Sequence, residues 1–336
     1  MGRFRAGENE DGACGMVRMG RTGQDRIASF DLETGEGSAK CLAVFDGHGQ
    51  EFIAAYLEKY LPEMLNEKMK KVRFSSPREV QENIAQAFEY FDRKIHDLLM
   101  MAWLTENYSE LENLYVYLDL ESRLDINYLK RYREAAQSEV FLPPGLSTEK
   151  ALREVRDWFF SFHGGSTAVL AMWREGVLYM VNLGDSKGVY FDRGCLEYTE
   201  DHKPETPSER ERIYRNGGFV CMGRVGGTLA LSRAFGDFVL KQIDGEYHPF
   251  GPVSVMPDVY VYEVSEGGCL LLGTDGLFDV LSPEEIYQML NAWTRGDLSR
   301  SGEFCKKLLD VALQKYAELD HPIHEIDDIS FWLSKI

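Results

Sequence analysis

The order of structural signals along this chain predicts an α+β layered domain, in which helices and strands are segregated rather than alternating. Three observations carry that prediction. Apolar residues recur at helical spacing early, between Glu51 and Leu98, and a long helical stretch follows late, between Glu303 and Leu319. Between them, from Ser166 to Gly273, short apolar runs are divided by pairs such as Glu175-Gly176 and Arg193-Gly194, which suit tight turns. Strands joined by tight turns build antiparallel sheets, whereas parallel neighbours need a longer crossover between them.

In order, residues 1–14 read as an N-terminal tail, and Asp25 precedes an early strand. A strand from Ser38 to Asp46 runs into Asp46-Gly47-His48-Gly49, and a helix follows from Glu51 to Lys71. Ser76-Pro77-Arg78-Glu79 has the form of a capping box with proline at the first helical position. The helix it opens places Val80, Ile84, Phe88, Phe91, Ile95 and Leu98 at helical spacing. Met101 to Phe162 is charged and helix-prone, and Pro143-Pro144-Gly145 interrupts it. Strands are expected at 166–173, 177–182, 187–191 and 195–199, then a helix from Thr206 to Asn216 that stops at Gly217-Gly218. Further strands at 259–264 and 268–273, a helix capped by Ser282-Pro283-Glu284-Glu285 and a last strand near 329–333 complete the pattern.

With 336 residues, 44% hydrophobic and 27% charged, the chain can bury a substantial core. No apolar run reaches the roughly eighteen residues of a membrane span, and the N-terminus does not read as a signal peptide. Gly2 follows the initiator, but Ala6 stands where a myristoylation signal has Ser or Thr. The six cysteines have no paired spacing, which suits reduced thiols in an intracellular, cytoplasmic protein and gives no zinc signal. A formal net charge of −18 repels nucleic acid and anionic membrane. It repels phosphoproteins too, so a phosphate-handling site would need local positive charge, such as bound metal ions.

Several aspartates lie where strands stop and glycines begin: Asp46-Gly47, Gly184-Asp185, Gly236-Asp237 and Asp275-Gly276. Asp327-Asp328 open the last strand. Any one Asp-Gly pair is an ordinary turn. As a set they are harder to dismiss, because the apolar run Leu270-Leu271-Leu272-Gly273-Thr274-Asp275 delivers an acid from a buried strand, and unpaired buried carboxylates cost several kcal/mol each. Grouped hard oxygen ligands imply magnesium, manganese or calcium rather than zinc.

The chain resembles the protein phosphatase 2C family of metal-dependent Ser/Thr phosphatases. The resemblance rests on seven pieces in family order: Val44-Phe45-Asp46-Gly47-His48-Gly49; Gly164-Gly165-Ser166-Thr167-Ala168; Val181-Asn182-Leu183-Gly184-Asp185-Ser186; Asp201-His202-Lys203-Pro204; Leu231-Ser232-Arg233-Ala234-Phe235-Gly236-Asp237; Thr274-Asp275-Gly276-Leu277-Phe278-Asp279-Val280; and Asp327-Asp328-Ile329-Ser330. It implies a four-layer α-β-β-α sandwich, two antiparallel sheets flanked by helices, with a metal site at one end between the sheets. Residues 15–336 would form one catalytic domain, with a helical insertion at about 101–162 and a flap at about 201–226.

By position, the resemblance implies that Asp46 bridges two Mg2+ or Mn2+ ions, with the Gly47 carbonyl on one, and that Asp275 and Asp327 complete the pair. Asp25 would order water beside them, and Asp185 and Asp279, with Asp275, would form a weaker third site. His48 matches the general acid and Asp237 a supporting residue. Gln24 stands where many members have Glu, which removes a negative charge and predicts weaker metal affinity. The family's phosphate-binding arginine falls on Gly20, with Arg18 and Arg21 flanking it; Arg21 is the candidate. The implied reaction is direct hydrolysis of phosphoserine or phosphothreonine in a protein substrate by a metal-bridging hydroxide, in a monomer, with His48 protonating the leaving alkoxide.

Other chemistries fit less well. No cysteine has an arginine six positions later, so a cysteine-phosphatase loop is missing. Gly184-Asp185-Ser186-Lys187-Gly188 matches a hydrolase elbow, but a strand follows where that motif needs a helix. His321 and His324 lie in a polar, proline-containing loop and read as solvated. A pseudophosphatase scaffold would be marked by loss of the aspartates; only Gln24 and the displaced arginine argue for it. A phosphatase of small phosphometabolites is the third reading. The 101–162 stretch is either a protein-docking element or a helical elaboration on the outer layer.

Overall fold

The computed structural model describes residues 3–9, 12–18, 23–120, 125–138, 147–192, 195–265, 267–294, 301–319 and 327–336. The chain opens with two hairpins, β1 (Arg3–Asn9) with β2 (Gly12–Arg18), and β3 (Arg26–Thr34) with β4 (Gly37–Phe45). Most of the stretch read as a tail, 1–14, is therefore strand. The two-residue β5 (Gly47–His48) leads to α1 (Phe52–Met69) and the long α2 (Pro77–Thr105). The 101–162 stretch continues with α3 (Ser109–Tyr117), α4 (Ile126–Gln137) and α5 (Thr148–Phe162).

Next come β6 (Gly165–Ser166), β7 (Ala168–Arg174), β8 (Val177–Leu183), β9 (Lys187–Asp192) and β10 (Cys195–Tyr198). The 201–226 excursion holds α6 (Pro207–Arg215) and the small hairpin β11 (Val220–Cys221) and β12 (Arg224–Val225). It returns through β13 (Phe235–Gly236), then the hairpin β14 (Gln242–Ile243) and β15 (Glu246–Tyr247). The rest of the chain forms β16 (Asp258–Glu263), β17 (Cys269–Gly273), α7 (Asp275–Phe278), α8 (Pro283–Thr294), α9 (Ser301–Glu318) and β18 (Ile329–Lys335).

Among the described residues the two main sheets are wholly antiparallel. One has the order β1-β2-β18-β17-β9-β10 and the other β16-β8-β7-β4-β3. Their facing sides meet in a core of Leu42, Val44, Val169, Ala171, Met180, Tyr190, Leu270, Leu272 and Trp332. The period of two along each strand sends the other side chains outward. On β7, Val169 and Ala171 point between the sheets, while Ala168, Leu170 and Met172 join the core with α1 and α2. On β17, Leu270 and Leu272 point inward, while Cys269 and Leu271 pack with α8 and α9. Burial on both faces explains why these strands read as continuous apolar runs rather than alternating ones. The result is the four-layer α-β-β-α sandwich.

Helices α3 to α5 extend one outer layer, since Leu111, Tyr115, Leu129, Val155 and Phe159 are buried in the same core as α1 and α2. The two proposed capping boxes diverge. Ser282 and Glu285 bond reciprocally to each other's backbone N–H. Ser76 makes no side-chain cap, and Glu79 accepts from the Arg73 backbone N–H and guanidinium rather than from the Ser76 N–H, which goes to the Arg73 carbonyl.

The 201–226 excursion is tied down through Glu209. Its carboxylate accepts from the guanidinium groups of Arg233 and Arg212 and from the Ser232 hydroxyl. Burial opposes the Glu209 charge, but Arg233 and Arg212 outweigh it and hold the carboxyl down at about 2. Asp258 is likewise held at about 2 against burial, by His202 and Arg233.

Two outcomes follow from this packing. Leu272→Ala empties part of the inter-sheet core and should cost about 3 kcal/mol in denaturant unfolding. Both depressed carboxyls contribute stability above their unfolded pKa values that is lost as pH falls toward about 2. The melting temperature of Glu209→Gln should therefore fall less than that of the parent between pH 5 and pH 3.

Candidate active site

The antiparallel register fixes where the acidic side chains meet. Arg26 pairs with Phe45, so Asp25, just before β3, lies beside Asp46, just after β4. Val169 pairs with Val44 and Ala168 with Leu183, which brings the end of β8, and Asp185 beyond it, to the same edge. In the facing sheet Gly273 pairs with Phe331, so Asp275 after β17 and Asp327 before β18 emerge at that same end. Asp25, Asp46 and Asp185 come from one sheet, Asp275 and Asp327 from the other.

The charges interact strongly. Burial, then Asp328, Asp327 and Asp275, push the Asp25 carboxyl well above the usual range. Burial, then Asp25, Asp275, Asp327 and Asp185, do the same to Asp46. Burial, then Asp185, Asp327 and Asp279, raise Asp275 to about 7, although Asp46 lies within hydrogen-bonding reach of it. Asp279 is also raised, by burial first and against the pull of Lys203. Asp25 and Asp185 are 2% and 4% exposed, so solvent offers them little relief.

Two carboxylate oxygens, Asp25 Oδ2 and Asp275 Oδ1, are buried with no hydrogen-bond partner. A buried orphan oxygen is costly, and a cation is the partner that would satisfy several of them together. Among the described residues, no three Asp, Glu, His or Cys side chains are drawn into a finished ligand cage. The structure thus supplies a convergence of hard oxygen donors rather than a closed coordination shell. That donor set fits magnesium or manganese.

His48 stands at the edge of the cluster, its Nε2 2.7 Å from Asp237 Oδ2. Burial disfavours the imidazolium, but Asp237, through charge and hydrogen bond, outweighs it and raises the His48 pKa above its usual value. The pair fits only because Gly165 lies beneath it. A Cβ at Gly165 would sit 2.2 Å from Asp237 Oδ2 and 2.5 Å from His48 Nε2. Gly47 sits in the same strand step as His48, and Gln24 donates its backbone N–H to Asp328 Oδ2 at 3.0 Å, beside the acids. Arg21 lies outside the described residues.

The structure adds two residues that the sequence reading did not single out for the site. Lys203 Nζ bonds Asp185 Oδ2, placing an ammonium among Asp185, Asp275 and Asp201. His202 accepts the Gly184 N–H at Nδ1 (3.0 Å), and its Nε2 lies 3.2 Å from Asp258, bracing the turn that carries Asp185. Both lie in Asp201-His202-Lys203-Pro204, so the signal was visible as a polar cluster, but its partner across the sheet was not.

The model of the Protein phosphatase 2C family matches residues 130–319. That match starts after Asp46 and ends before Asp327. Rat Protein phosphatase 1B is 40% identical over 154 residues, covering 45% of this chain and 39% of the rat protein. The chain thus spans about two-fifths of that curated relative's length. A Paramecium tetraurelia protein, Probable protein phosphatase 2C 6, is 34% identical over 206 residues, 57% of this chain and 68% of its own length. A crystal structure of a phosphatase from Toxoplasma gondii has the same fold, with a TM-score of 0.62 at 19% identity over 100% of this chain and 96% of that one.

Crowded acids should burden the metal-free protein. Asp46→Asn is expected to raise its melting temperature by about 2 °C, the shift that roughly 1 kcal/mol produces in a large domain, while abolishing manganese uptake in calorimetry. Destabilisation with unchanged uptake would contradict this account of the cluster.

Proposed function

The chain belongs to the protein phosphatase 2C family, and from that premise we propose that it is a metal-dependent protein serine/threonine phosphatase acting by direct hydrolysis. The observation that carries the reading is the convergence of Asp25, Asp46, Asp185, Asp275 and Asp327 at one end of the sandwich, with two buried oxygens left without partners.

Asp46, the Gly47 carbonyl, Asp275 and Asp327 are the groups we assign to a pair of ions, with Asp185, Asp279 and Asp275 offering a weaker third position. Magnesium or manganese, when bound, supplies positive charge against the phosphate and acidifies water for attack near neutral pH. The remaining work falls to the chain. Asp25 accepts hydrogen bonds from water held beside the acids. Asp237 holds the His48 Nε2–H and favours the imidazolium, whose Nδ1–H is the proton given to the departing serine or threonine oxygen. Arg21 is the cation we assign to the phosphate oxygens. In a protein of net charge −18 such local positive charge decides whether a phosphoprotein can approach. The same reading treats 15–336 as one catalytic domain, with 201–226 as a flap beside the site.

Among the described residues no helix is long and apolar enough to cross a membrane.

The 336-residue chain with manganese should hydrolyse a phosphothreonine peptide faster than a sugar phosphate. No turnover at any metal concentration, with manganese still taken up, would favour a binding scaffold instead. His48→Ala should slow the peptide by about 10²-fold or more, the contribution expected of a general acid. It should leave nitrophenyl phosphate, whose leaving group needs no proton, nearly unaffected; equal losses on both would remove the acid role.

A further inference from the structure

Behind the His48–Asp237 pair lies a buried ionic cluster that the mechanism so far does not use. Asp92, on α2, and Lys241 are both fully buried, with Nζ 2.7 Å from Asp92 Oδ2. Tyr247 donates its hydroxyl to the same oxygen at 2.9 Å. The other oxygen, Oδ1, accepts the backbone N–H of Gly236 at 2.8 Å. Lys241 Nζ also donates to the Ala234 carbonyl at 2.7 Å. The cluster thus grips the backbone on both sides of Phe235, immediately before Asp237.

That stretch has little freedom to shift. Gly236 (φ 75°) and Asp237 (φ 50°) both occupy the left-handed region, which a non-glycine residue adopts only when its surroundings hold it there. Asp237 donates its N–H to the Gly164 carbonyl at 3.0 Å, and β13 pairs with β6, which pairs with β5, the strand that carries His48. A Cβ on Gly236 would lie 2.5 Å from the Gly164 carbonyl oxygen. The Asp237 carboxylate can therefore meet His48 only if Gly236 sits where Asp92 holds it.

We propose that Asp92 is a positioning residue for the general acid: with Lys241 and Tyr247 it fixes the Gly236 N–H, and through it the Asp237 carboxylate that orients His48. This rests on the role assigned to His48 under the proposed function. A buried ion pair kept only for structure is a poor bargain, since apolar residues of similar volume often serve stability as well or better. A backbone N–H that must be aimed needs a fixed acceptor, and burial makes that acceptor rigid.

The test uses the full chain and pairs of variants that leave no lone buried charge. Asp92→Leu with Lys241→Met removes the acceptor of the Gly236 N–H. Asp92→Asn with Lys241→Met restores an acceptor without the charges. The first should lose at least about tenfold on a phosphothreonine peptide and much less on nitrophenyl phosphate, the bias expected when proton donation is impaired. The second should recover most of that loss. Added to His48→Ala, the first should cost nothing further on the peptide, because two groups acting through one another are not additive. Equal losses on both substrates, or an additive loss with His48→Ala, would overturn the proposal and leave a structural ion pair.

If the Leu/Met variant melts below the assay temperature, Tyr247→Phe removes one donor to the same carboxylate and should show the same substrate bias on a smaller scale. Absence of that bias would also overturn the proposal. A crystal structure of the metal-free Leu/Met variant, or of Tyr247→Phe in its place, reads the His48 Nε2–Asp237 Oδ2 contact directly. An unchanged 2.7 Å contact refutes the positioning role whether or not the parent protein turns over, whereas a parent with no turnover refutes the proposed function alone.

Discussion

Like charges do not gather unless something compels them, and the rest of this molecule is built around that compulsion. Five aspartates from two sheets reach one end of the sandwich because strand register leaves them nowhere else to go. Register in turn is fixed by burial. The central strands β7 and β17 are apolar on both faces, so a slip of one residue would exchange the inter-sheet core for the helix-facing cores and mismatch both. The repulsion among the acids is therefore borne largely by the packing of the whole domain, with Lys203 relieving it locally at Asp185.

The division of labour at the site follows from the same arrangement. Acids meet at the ends of long strands, where position is set by many ladder bonds. The His48–Asp237 pair sits instead on a small sheet of two-residue strands, β5, β6 and β13, which has few bonds of its own. That small sheet is packed against glycines that admit no side chain and is tied through Gly236 to the buried cluster of Asp92, Lys241 and Tyr247. A salt bridge with no exposure to water, gripping the backbone beside Asp237, suits an orienting device.

Much of the layered fold was legible in the chain because its signals are local. Tight turns at Glu175-Gly176, the helical face from Val80 to Leu98 and the stop at Gly217-Gly218 each announce themselves within a few residues. The strands over 3–18 were not legible because β2 pairs with β18, more than three hundred residues away, which no short window shows. At Ser76 no capping box forms: Arg73, just upstream, bonds Glu79, and its carbonyl takes the Ser76 N–H. At the site, aspartates beside glycines could be read as a set, since each ends a strand. The bond from Lys203 to Asp185 and the cluster of Asp92, Lys241 and Tyr247 could not. Asp92, four residues after Phe88 and three before Ile95, stands on the buried face of its helix by spacing, but the partners that satisfy it come from elements distant in sequence.

Because the acids are shared between the sheets, a cation settling among them would rivet two walls that meet mainly through hydrocarbon and a few polar contacts. Ion affinity and cohesion at that rim are then one free energy viewed from two sides. Stripping the ions would loosen the seam where the walls part, and stiffening the seam from a distance would tighten the grip on the ions.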